Sequence, residues 1–366
     1  MAADSAASDG DTHGDRGRPQ VPLKASAPVS AAGAATPEGY QSYWAQLGGP
    51  VHFVDFGGPQ GAPLLLCVHG LGGSTLNWLP LAPLLTTSCR VLAVDLAGHG
   101  RTPKAGRRTD VAANQRLLDR FLTEVLDAVP VLVGNSMGGM ISVLQAGHRP
   151  ASVAGMVLVD PALPRPRGVR PDPEIARLFA GLFVPWVSTA VLARRRARRT
   201  TTELLEENLR RICADPSRVP VPARAAMERG LLERAGVPDA DQAFVAAGRS
   251  VVWSLLRAAP LSQLVRTVPQ PTLVLHGSAD RLIPVAVARD VAARRPDWQV
   301  EILDGLGHVP MLEDAAGTAT LLTRWLTGAG RSAADTARRT PGPSAPPAAT
   351  PGWPAPAATP APAVGA

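Results

Sequence analysis

Ser136 is the residue of this sequence best placed to act as a nucleophile, because it lies between two glycines in segment 134–138, Gly-Asn-Ser-Met-Gly. An apolar run precedes the segment and a helical pattern follows it, so the serine is expected at a sharp strand-to-helix turn with its hydroxyl exposed. Glycines are needed on both sides because such a turn brings neighbouring backbones close together. A serine hydroxyl is a weak nucleophile near neutral pH, so its chemistry requires a base.

Two ionisable residues near the end of the chain could assist this serine. Asp280 lies in a Gly-x-x-Asp-x-x-x-Pro pattern and His308 in a Gly-His-x-Pro-x-x-Glu pattern, and each follows a β-type segment. An imidazole can take the proton of a serine during attack, and a carboxylate can hold the imidazole in the right tautomer. The order along the chain is serine, aspartate, histidine.

Other ionisable residues also follow apolar runs. Asp160 comes directly after residues 156–159 and is an alternative acid. His99 and His276 lie near strand ends, but their positions in the chain indicate structural roles rather than that of a base. Asp95 is expected to hold loop backbone groups rather than to do chemistry.

The elements that must position these residues alternate between short apolar runs and helical patterns. Apolar runs occur at 64–68, 91–94, 129–133, 156–159 and 272–275, and helical patterns at 110–126, 137–148, 285–294 and 313–326. Strands that are apolar throughout are buried on both faces, which is typical of a parallel sheet covered by helices. Residues 40–44 and 51–56, separated by Gly-Gly-Pro, predict an opening hairpin.

About a hundred residues after Asp160 interrupt this alternation with helical patterns broken by prolines at 173, 185, 216 and 238. We interpret residues 161–263 as a helical cap inserted over the carboxyl ends of the strands, and residues 39–160 and 264–328 as the α/β core. Residues 1–38 and the Pro/Ala-rich residues 329–366 have no apolar periodicity. Both segments are predicted to be disordered tails.

Taken together, these motifs resemble the α/β-hydrolase fold superfamily over about residues 40–328. The resemblance also rests on a His-Gly-Leu-Gly-Gly loop at 69–73 and an Asp-x-x-Gly-His-Gly stretch at 95–100. It implies a mostly parallel eight-stranded sheet flanked by helices, with the cap inserted into it. It further implies a triad of Ser136, Asp280 and His308, with an oxyanion hole formed by the backbone N–H groups of Leu71 and Met137.

The residues present narrow the reaction that this resemblance implies. Family members that dehalogenate or open epoxides use an aspartate nucleophile, whereas the candidate nucleophile here is Ser136. Epoxide hydrolases also use tyrosines of the cap, whereas the two tyrosines of this sequence, Tyr40 and Tyr43, precede the predicted cap. We therefore predict a serine hydrolase that cleaves a hydrophobic carboxylic ester without a metal or cofactor.

Two other functions stay open. The Gly-Asn-Ser-Met-Gly-Gly turn resembles that of meta-cleavage-product hydrolases, which break carbon–carbon bonds. Those proteins usually carry Gly-Pro-Gly in the oxyanion loop, where this chain has Leu-Gly-Gly at 71–73. A non-catalytic binding protein with the same fold is the third possibility.

The most apolar part of the cap is residues 175–192, followed by five arginines within 194–199. Its uncharged run, 178–193, is too short and too broken by proline to span a bilayer. We expect cap helices that line an acyl pocket, and the alternative is peripheral contact with an anionic membrane. The candidate pocket walls are large apolar side chains of the cap and the core loops: Trp78, Phe179, Phe183, Trp186, Trp253 and Val309.

The formal net charge is +7, and arginine supplies nearly all of the positive charge. Apart from the one run in the cap, the basic residues are scattered, and no zinc-ligand spacing or RNA-binding aromatic motif accompanies them, so nucleic acid is not an expected partner. Cys67, Cys89 and Cys213 lie far apart and form no metal or disulfide pattern. Reduced thiols predict a cytoplasmic protein. The sequence specifies no oligomeric state.

Overall fold

A single nine-stranded sheet forms the centre of the part of the chain that the computed structural model describes, which is residues 23–24, 26–31, 36, 38–183, 187–237 and 239–338. The strands are β1 Val29–Ala31, β2 Gln41–Gln46, β3 Pro50–Gly57, β4 Leu64–Val68, β5 Arg90–Val94, β6 Val131–Asn135, β7 Gly155–Val159, β8 Thr272–Gly277 and β9 Gln299–Leu303. Their spatial order is β1-β2-β3-β5-β4-β6-β7-β8-β9.

The strands from β4 to β9 pair in parallel, as their sequence predicts. Every residue of β4, β5, β6, β7 and β8 is buried, which agrees with the continuous apolar runs in their sequences. The predicted opening hairpin is also confirmed: β2 and β3 are antiparallel, and β3 joins the sheet antiparallel to β5. Gly48 and Gly49 have positive φ angles, which the turn between the two strands requires.

Helices cover both faces of the sheet. They are α1 Ala82–Leu85, α2 Val111–Arg120, α3 Met137–His148, α4 Pro173–Gly181, α5 Val187–Arg198, α6 Thr201–Ile212, α7 Val221–Ala235, α8 Ala240–Leu256, α9 Ala258–Thr267, α10 Ala286–Arg294, α11 Pro310–Glu313, α12 Ala315–Thr327 and α13 Arg331–Arg338. Apolar side chains of α2, α3, α9 and α10 share one core with the sheet. Those of α1, α11, α12 and α13 share the other.

Two elements lie where the sequence predicts disordered tails, and one of them changes the number of strands from the expected eight to nine. Strand β1 falls within 1–38 and pairs antiparallel with β2. Helix α13 falls within 329–366 and buries Ala333, Ala334 and Ala337 against the core. A strand of three residues and a helix anchored by alanines have too little apolar periodicity to be recognised. Residues 1–22 and 339–366 lie outside the described part of the chain.

The inserted segment contains α4 to α8, and two of its predicted breaks coincide with element starts. Pro173 is the first residue of α4, and Pro216 begins a 3₁₀ helix, Pro216–Arg218. Proline at these positions costs no helical hydrogen bond. Pro185 and Pro238 lie outside the described residues. The predicted boundary at 263 falls inside α9, and this helix packs on the core helix α3.

Candidate active site

The structure places Ser136 at the turn between β6 and α3, with a φ of 54° and a ψ of −114°. Few non-glycine residues adopt a positive φ, and such strain persists only where the surroundings enforce it. Here the Ser136 N–H donates to the Val159 carbonyl at 3.0 Å, and the Ser136 carbonyl accepts from the Ala162 N–H at 3.0 Å. The serine is partly exposed, whereas its neighbours on both sides are buried.

The two glycines beside the serine are required by close backbone contacts. A Cβ atom on Gly138 would lie 2.1 Å from the Val68 carbonyl oxygen, and one on Gly134 would lie 2.7 Å from the carbonyl carbon of Gly138. Both contacts are with backbone, which cannot move aside as a flexible side chain can. These distances explain why the turn needs glycine at both positions.

The His-Gly loop, residues 69–73, lies against the serine turn. A Cβ atom on Gly70 would come within 3.0 Å of the Ser136 Cβ. Met137 is the first residue of α3, where N–H groups have no acceptor within the helix. Among the described residues, neither the Leu71 nor the Met137 N–H donates to a protein acceptor. Both donors therefore remain available to an oxyanion.

His69 stabilises this loop through hydrogen bonds. Its Nδ1 donates to the Gly70 carbonyl at 2.7 Å, and its Nε2 accepts from the Leu96 N–H at 3.0 Å. The ring is completely buried, and burial lowers the pKa of His69 below its ordinary value. A neutral imidazole with both nitrogens engaged has a structural role, not that of a base.

Asp280 and His308 form a buried hydrogen-bonded pair. The His308 Nδ1 donates to the Asp280 Oδ2 at 2.7 Å, and the Asp280 Oδ1 accepts from the N–H groups of Leu282 at 2.7 Å and Ile283 at 3.1 Å. Burial acts to raise the pKa of Asp280, but the charge and hydrogen bond of His308 outweigh it and hold the pKa below its ordinary value. An ionised carboxylate on Nδ1 leaves Nε2 as the proton-accepting nitrogen.

Asn135 links this pair to the serine. Its side-chain amide donates to the His308 carbonyl and to the Val159 carbonyl, both at 3.1 Å. In the described structure no hydrogen bond joins the Ser136 hydroxyl directly to His308. Contacts of this kind are often long in ligand-free enzymes and tighten when the substrate binds. Asn135 belongs to the serine motif of the sequence, but nothing in the sequence indicates its hydrogen bond to His308.

The cap also helps to hold the histidine loop. The His308 N–H donates to the carbonyl of Ile212, at the end of α6, at 2.7 Å. Glu313 accepts from the N–H groups of Gly307 at 2.8 Å and of Ala214 and Asp215 at 2.9 Å. Movement of α6 would therefore move the loop that carries His308.

A second Ser-His-Asp array joins the opening hairpin to the loop after β5. The Ser42 Oγ and His52 Nε2 are 2.6 Å apart, and the His52 Nδ1 lies 2.7 Å from the Asp95 Oδ2. All three residues are buried. Asp95 also accepts from the N–H groups of Thr75 and Arg101, so it holds loop backbone as the sequence predicts. Ser42 lies within β2, without a strained turn, and the array is structural.

Two of the predicted pocket walls lie in the core. Trp78 is 0% exposed and packs in the apolar cluster between the sheet and α12. It is a core residue, which corrects its assignment to a pocket wall. Val309 is also buried in this cluster, although it directly follows His308.

The predicted pocket walls in the cap that the structure describes, unlike Trp78 and Val309, do not belong to the core. Phe183 and Trp253 meet edge to face with ring centroids 6.0 Å apart, and Trp253 is 49% exposed, so this pair reaches the outer surface of the cap. Phe179 is partly exposed on α4. Trp186 lies outside the described residues.

Two cap side chains that the sequence does not indicate as site residues lie over the His-Gly loop. A Cβ atom on Gly72 would lie 3.0 Å from the ring of Phe244, on α8. A Cβ atom on Gly248, one turn further along α8, would lie 2.6 Å from Leu182 and 3.2 Å from Leu71. A glycine inside a helical pattern indicates close packing, and Gly248 was the available signal. The cap surface that faces this loop is thus apolar.

Ion pairs within the cap engage part of the arginine run. Arg195 pairs with Glu207 at 2.5 Å, Arg199 with the same carboxylate at 3.4 Å, and Arg196 with Asp241. Within the described residues, no helix is both long and apolar enough to cross a membrane.

One group of side chains has a composition that could hold a metal ion. Single atoms of Asp160, His276 and Asp280 lie within 4.8 Å of one another. However, the His276 Nε2 donates to the Ile283 carbonyl at 2.9 Å, and the Asp280 Oδ2 already accepts from His308. The His276 Nε2 and the Asp280 Oδ2 are therefore committed to protein partners, so this group of possible ligands does not fit a resident metal.

The structure combines a parallel α/β sheet, a strained serine between a strand and a helix, and an aspartate–histidine pair after later strands. This combination defines the α/β-hydrolase class. The sequence matches the alpha/beta hydrolase family over residues 65–321, and the chain belongs to that family. The expected fold class is thereby confirmed.

The relatives include one protein named as an acetyltransferase component and one named as a methyl ester esterase. The chain is 29% identical over 290 residues to the dihydrolipoyllysine-residue acetyltransferase component of the acetoin cleaving system of Pseudomonas putida, covering 78% of this chain and 70% of the relative. It is 28% identical over 268 residues to the pimeloyl-acyl-carrier-protein methyl ester esterase of Aromatoleum aromaticum, covering 71% and 96%. Among solved structures, a membrane phospholipase A described as a bacterial virulence factor matches with a TM-score of 0.60 and 26% identity, covering 80% of this chain and 87% of that one.

Proposed function

We propose that this protein is a serine hydrolase that cleaves a hydrophobic carboxylic ester through an acyl-enzyme, with Ser136, His308 and Asp280 as its triad. One observation carries the proposal. A strained, partly exposed serine at the start of α3 is linked through Asn135 to a histidine whose Nδ1 is bound by an aspartate at 2.7 Å.

In the first half of the reaction, the Ser136 Oγ attacks the ester carbonyl carbon and the His308 Nε2 takes its proton. The negative charge that develops on the carbonyl oxygen is stabilised by the N–H groups of Leu71 and Met137. Each such donor contributes about 3 kcal/mol of transition-state stabilisation. The tetrahedral intermediate then collapses, the bond to the alcohol oxygen breaks, and His308 returns the proton to the leaving alcohol.

In the second half, the His308 Nε2 takes a proton from water, and the resulting hydroxide attacks the acyl carbon on Ser136. Collapse of this intermediate releases the carboxylic acid, and His308 returns its proton to the Ser136 oxygen. Asp280 stabilises the imidazolium in both halves without itself taking the proton.

The proposed substrate class rests on the cap surface over the oxyanion loop. Leu182 and Phe244 approach Leu71 and Gly72, so an acyl group placed beside the Leu71 N–H would contact apolar side chains. The relative named as a methyl ester esterase supports an ester as the reacting group. We therefore propose an ester with a hydrophobic acyl chain.

The test is turnover of p-nitrophenyl esters of increasing acyl length by wild type, Ser136→Ala and Ser42→Ala. Ser42→Ala is the matched control, because it removes the serine of the second Ser-His-Asp array. We expect Ser136→Ala to lower kcat by at least about 10,000-fold and Ser42→Ala to change it less than about threefold. Equal activity of Ser136→Ala and wild type would refute the proposal.

The same protein samples separate the two other candidate functions. A carbon–carbon hydrolase would consume a vinylogous diketone substrate, seen as loss of its visible absorbance, with little ester turnover. A binding protein would turn over neither substrate.

Peripheral membrane contact through the cap is a further part of the proposal. Residues 161–263 contain 17 arginines and 10 acidic residues, an excess that equals the +7 net charge of the whole chain. Co-sedimentation with anionic and neutral vesicles tests it, with a variant that neutralises the five arginines within 194–199 as control. Equal binding to both vesicle types would refute it. A cytoplasmic location is likewise proposed, since Cys67, Cys89 and Cys213 are buried and unpaired.

A further inference from the structure

Asp160 is a buried carboxyl group that the proposed mechanism does not use. It follows β7, has a positive φ of 45° and is 0% exposed. Its Oδ1 accepts from the Gly277 N–H at 2.9 Å, but its Oδ2 has no hydrogen-bond donor among the described residues. A buried polar atom without a partner costs free energy, and a strained backbone adds to that cost. Such an arrangement requires a compensating interaction.

Asp280 is the nearby carboxyl group, since one oxygen of each aspartate and one ring nitrogen of His276 lie within 4.8 Å of one another. The His276 Nε2 is 3.6 Å from the Asp160 Oδ1 and 3.7 Å from the Asp280 Oδ2, so the two carboxyl groups flank the same ring. His276 does not balance their charge, because burial lowers its pKa and its Nε2 proton is donated to the Ile283 carbonyl. The other charged group that faces Asp160 is the carboxyl of Glu313, and His308 lies beyond Asp280.

Two buried carboxyl groups this close do not both ionise, so one of them carries a proton. Asp280 accepts three hydrogen bonds, from His308, Leu282 and Ile283, whereas Asp160 accepts one. Donors stabilise the ionised form, and Asp280 has more of them. Burial first, and then the charge of Asp280, raise the pKa of Asp160 well above its ordinary value. The proton therefore belongs on Asp160, where it gives the unpaired oxygen a role as a donor.

We propose that Asp160 is a positioning residue that carries the proton of this carboxyl pair and donates a hydrogen bond to Asp280, holding Asp280 in the orientation that accepts from His308. This inference rests on the proposed function, since it concerns the acid of the proposed triad. It has a specific consequence: Asp160 acts on the reaction only through Asp280.

Two substitutions separate this role from simple packing. Asp160→Asn keeps a neutral group whose amide can donate to Asp280, and Asp160→Ala removes the donor. We expect kcat/KM to fall by about 10- to 100-fold in Asp160→Ala, the usual effect of losing a hydrogen bond to a charged group, and Asp160→Asn to restore most of it. In an Asp280→Asn background, Asp160→Ala should change kcat/KM by less than about threefold.

The pH profile gives a second readout, one that packing alone would not move. Without its donor, the Asp280 carboxylate holds imidazolium more strongly, so the acid limb of kcat/KM should shift to higher pH in Asp160→Ala. In Asp160→Asn the limb should coincide with that of wild type. If Asp160 were ionised instead, Asp160→Asn would remove a negative charge and shift the limb to lower pH.

A substrate-free measurement completes the test. The infrared carbonyl band of a protonated carboxylic acid should be present in wild type at neutral pH and absent from Asp160→Asn. Three results would each overturn the inference. The first is absence of that band in wild type, and the second is a shift of the acid limb of kcat/KM to lower pH in Asp160→Asn. The third is an equal effect of Asp160→Ala on kcat/KM in the wild-type and Asp280→Asn backgrounds. Activity that a chelator removes and Zn²⁺ restores would also overturn it, because the cluster would then be a metal site.

These outcomes are distinct from failure of the proposed function. A wild-type protein without Ser136-dependent ester turnover would refute that function, and the infrared band would still decide whether Asp160 is protonated. If Asp160→Ala does not fold, Asp160→Asn and the infrared band remain decisive.

Discussion

Replacing Asp280 with asparagine tests whether the buried Asp280–His308 pair performs the proposed chemistry. The Asp280 Oδ1 accepts from two backbone N–H groups, and its Oδ2 accepts from the His308 Nδ1 at 2.7 Å. The asparagine carbonyl can keep the two backbone contacts, which leaves its NH₂ group facing Nδ1. Two donors cannot share a hydrogen bond, so His308 must move its proton to Nε2. That tautomer cannot accept the Ser136 proton, and we expect kcat to fall by about 10,000-fold with the fold preserved.

The assay is single-turnover and steady-state hydrolysis of a p-nitrophenyl ester, with circular dichroism to establish folding. Asp290→Asn is the matched control, since Asp290 is an acid that pairs with Arg294 on α10. We expect its kcat to lie within about twofold of wild type, because surface ion pairs contribute little. An Asp280→Asn protein that is folded and retains more than about a tenth of wild-type kcat would refute the reasoning.

Three further predictions concern stability and packing. Gly138→Ala places a methyl group 2.1 Å from a backbone oxygen of β4, so its free energy of unfolding in urea should fall by about 3 kcal/mol, the upper end of the usual cost of overpacking. A loss below about 1 kcal/mol would contradict the close contact. Trp78→Ala should lower the free energy of unfolding by about 3–5 kcal/mol, because it truncates a core side chain, and should leave KM for short esters unchanged. A raised KM at unchanged stability would show instead that Trp78 is a pocket wall. Burial lowers the pKa values of His69, His99 and His276, so each binds protons more readily when unfolded. The free energy of unfolding should therefore fall as the pH drops below about 6.5, by up to about 1.4 kcal/mol per pH unit for each histidine, and a flat profile from pH 7.5 to 5 would contradict this.

Much of the fold could be predicted because its signals are local. Strand β4 is apolar at every position and β6 at every position but its last, and the serine turn joins a strand signal, two glycines and a helix signal within a few residues. Asp280 and His308 follow strands of one parallel sheet, so their side chains meet at the same edge although 28 positions separate them in the sequence. Strand β1 has only three residues, and nothing in its sequence distinguishes it from a loop.

The parts of the site that could not be predicted depend on how the cap lies on the core. Phe244 and Leu182 approach the oxyanion loop because α8 crosses it, and no spacing in the sequence specifies that crossing. Trp78 was misassigned because a large aromatic residue after a glycine-rich loop has the same sequence context in a pocket as in a core. The relation between Asp160 and Asp280 is also tertiary, since it arises where β7 and β8 end side by side.

The proposed function requires Ser136 to be an activated nucleophile, and covalent labelling of this serine measures that property. Wild-type protein is incubated with a fluorophosphonate, and the adduct is located by mass spectrometry of the intact chain and of its peptides. We expect one adduct per chain on Ser136, none in Ser136→Ala, and full labelling in Ser42→Ala. A folded wild-type protein that is not labelled, or that is labelled on Ser42 instead, would contradict it.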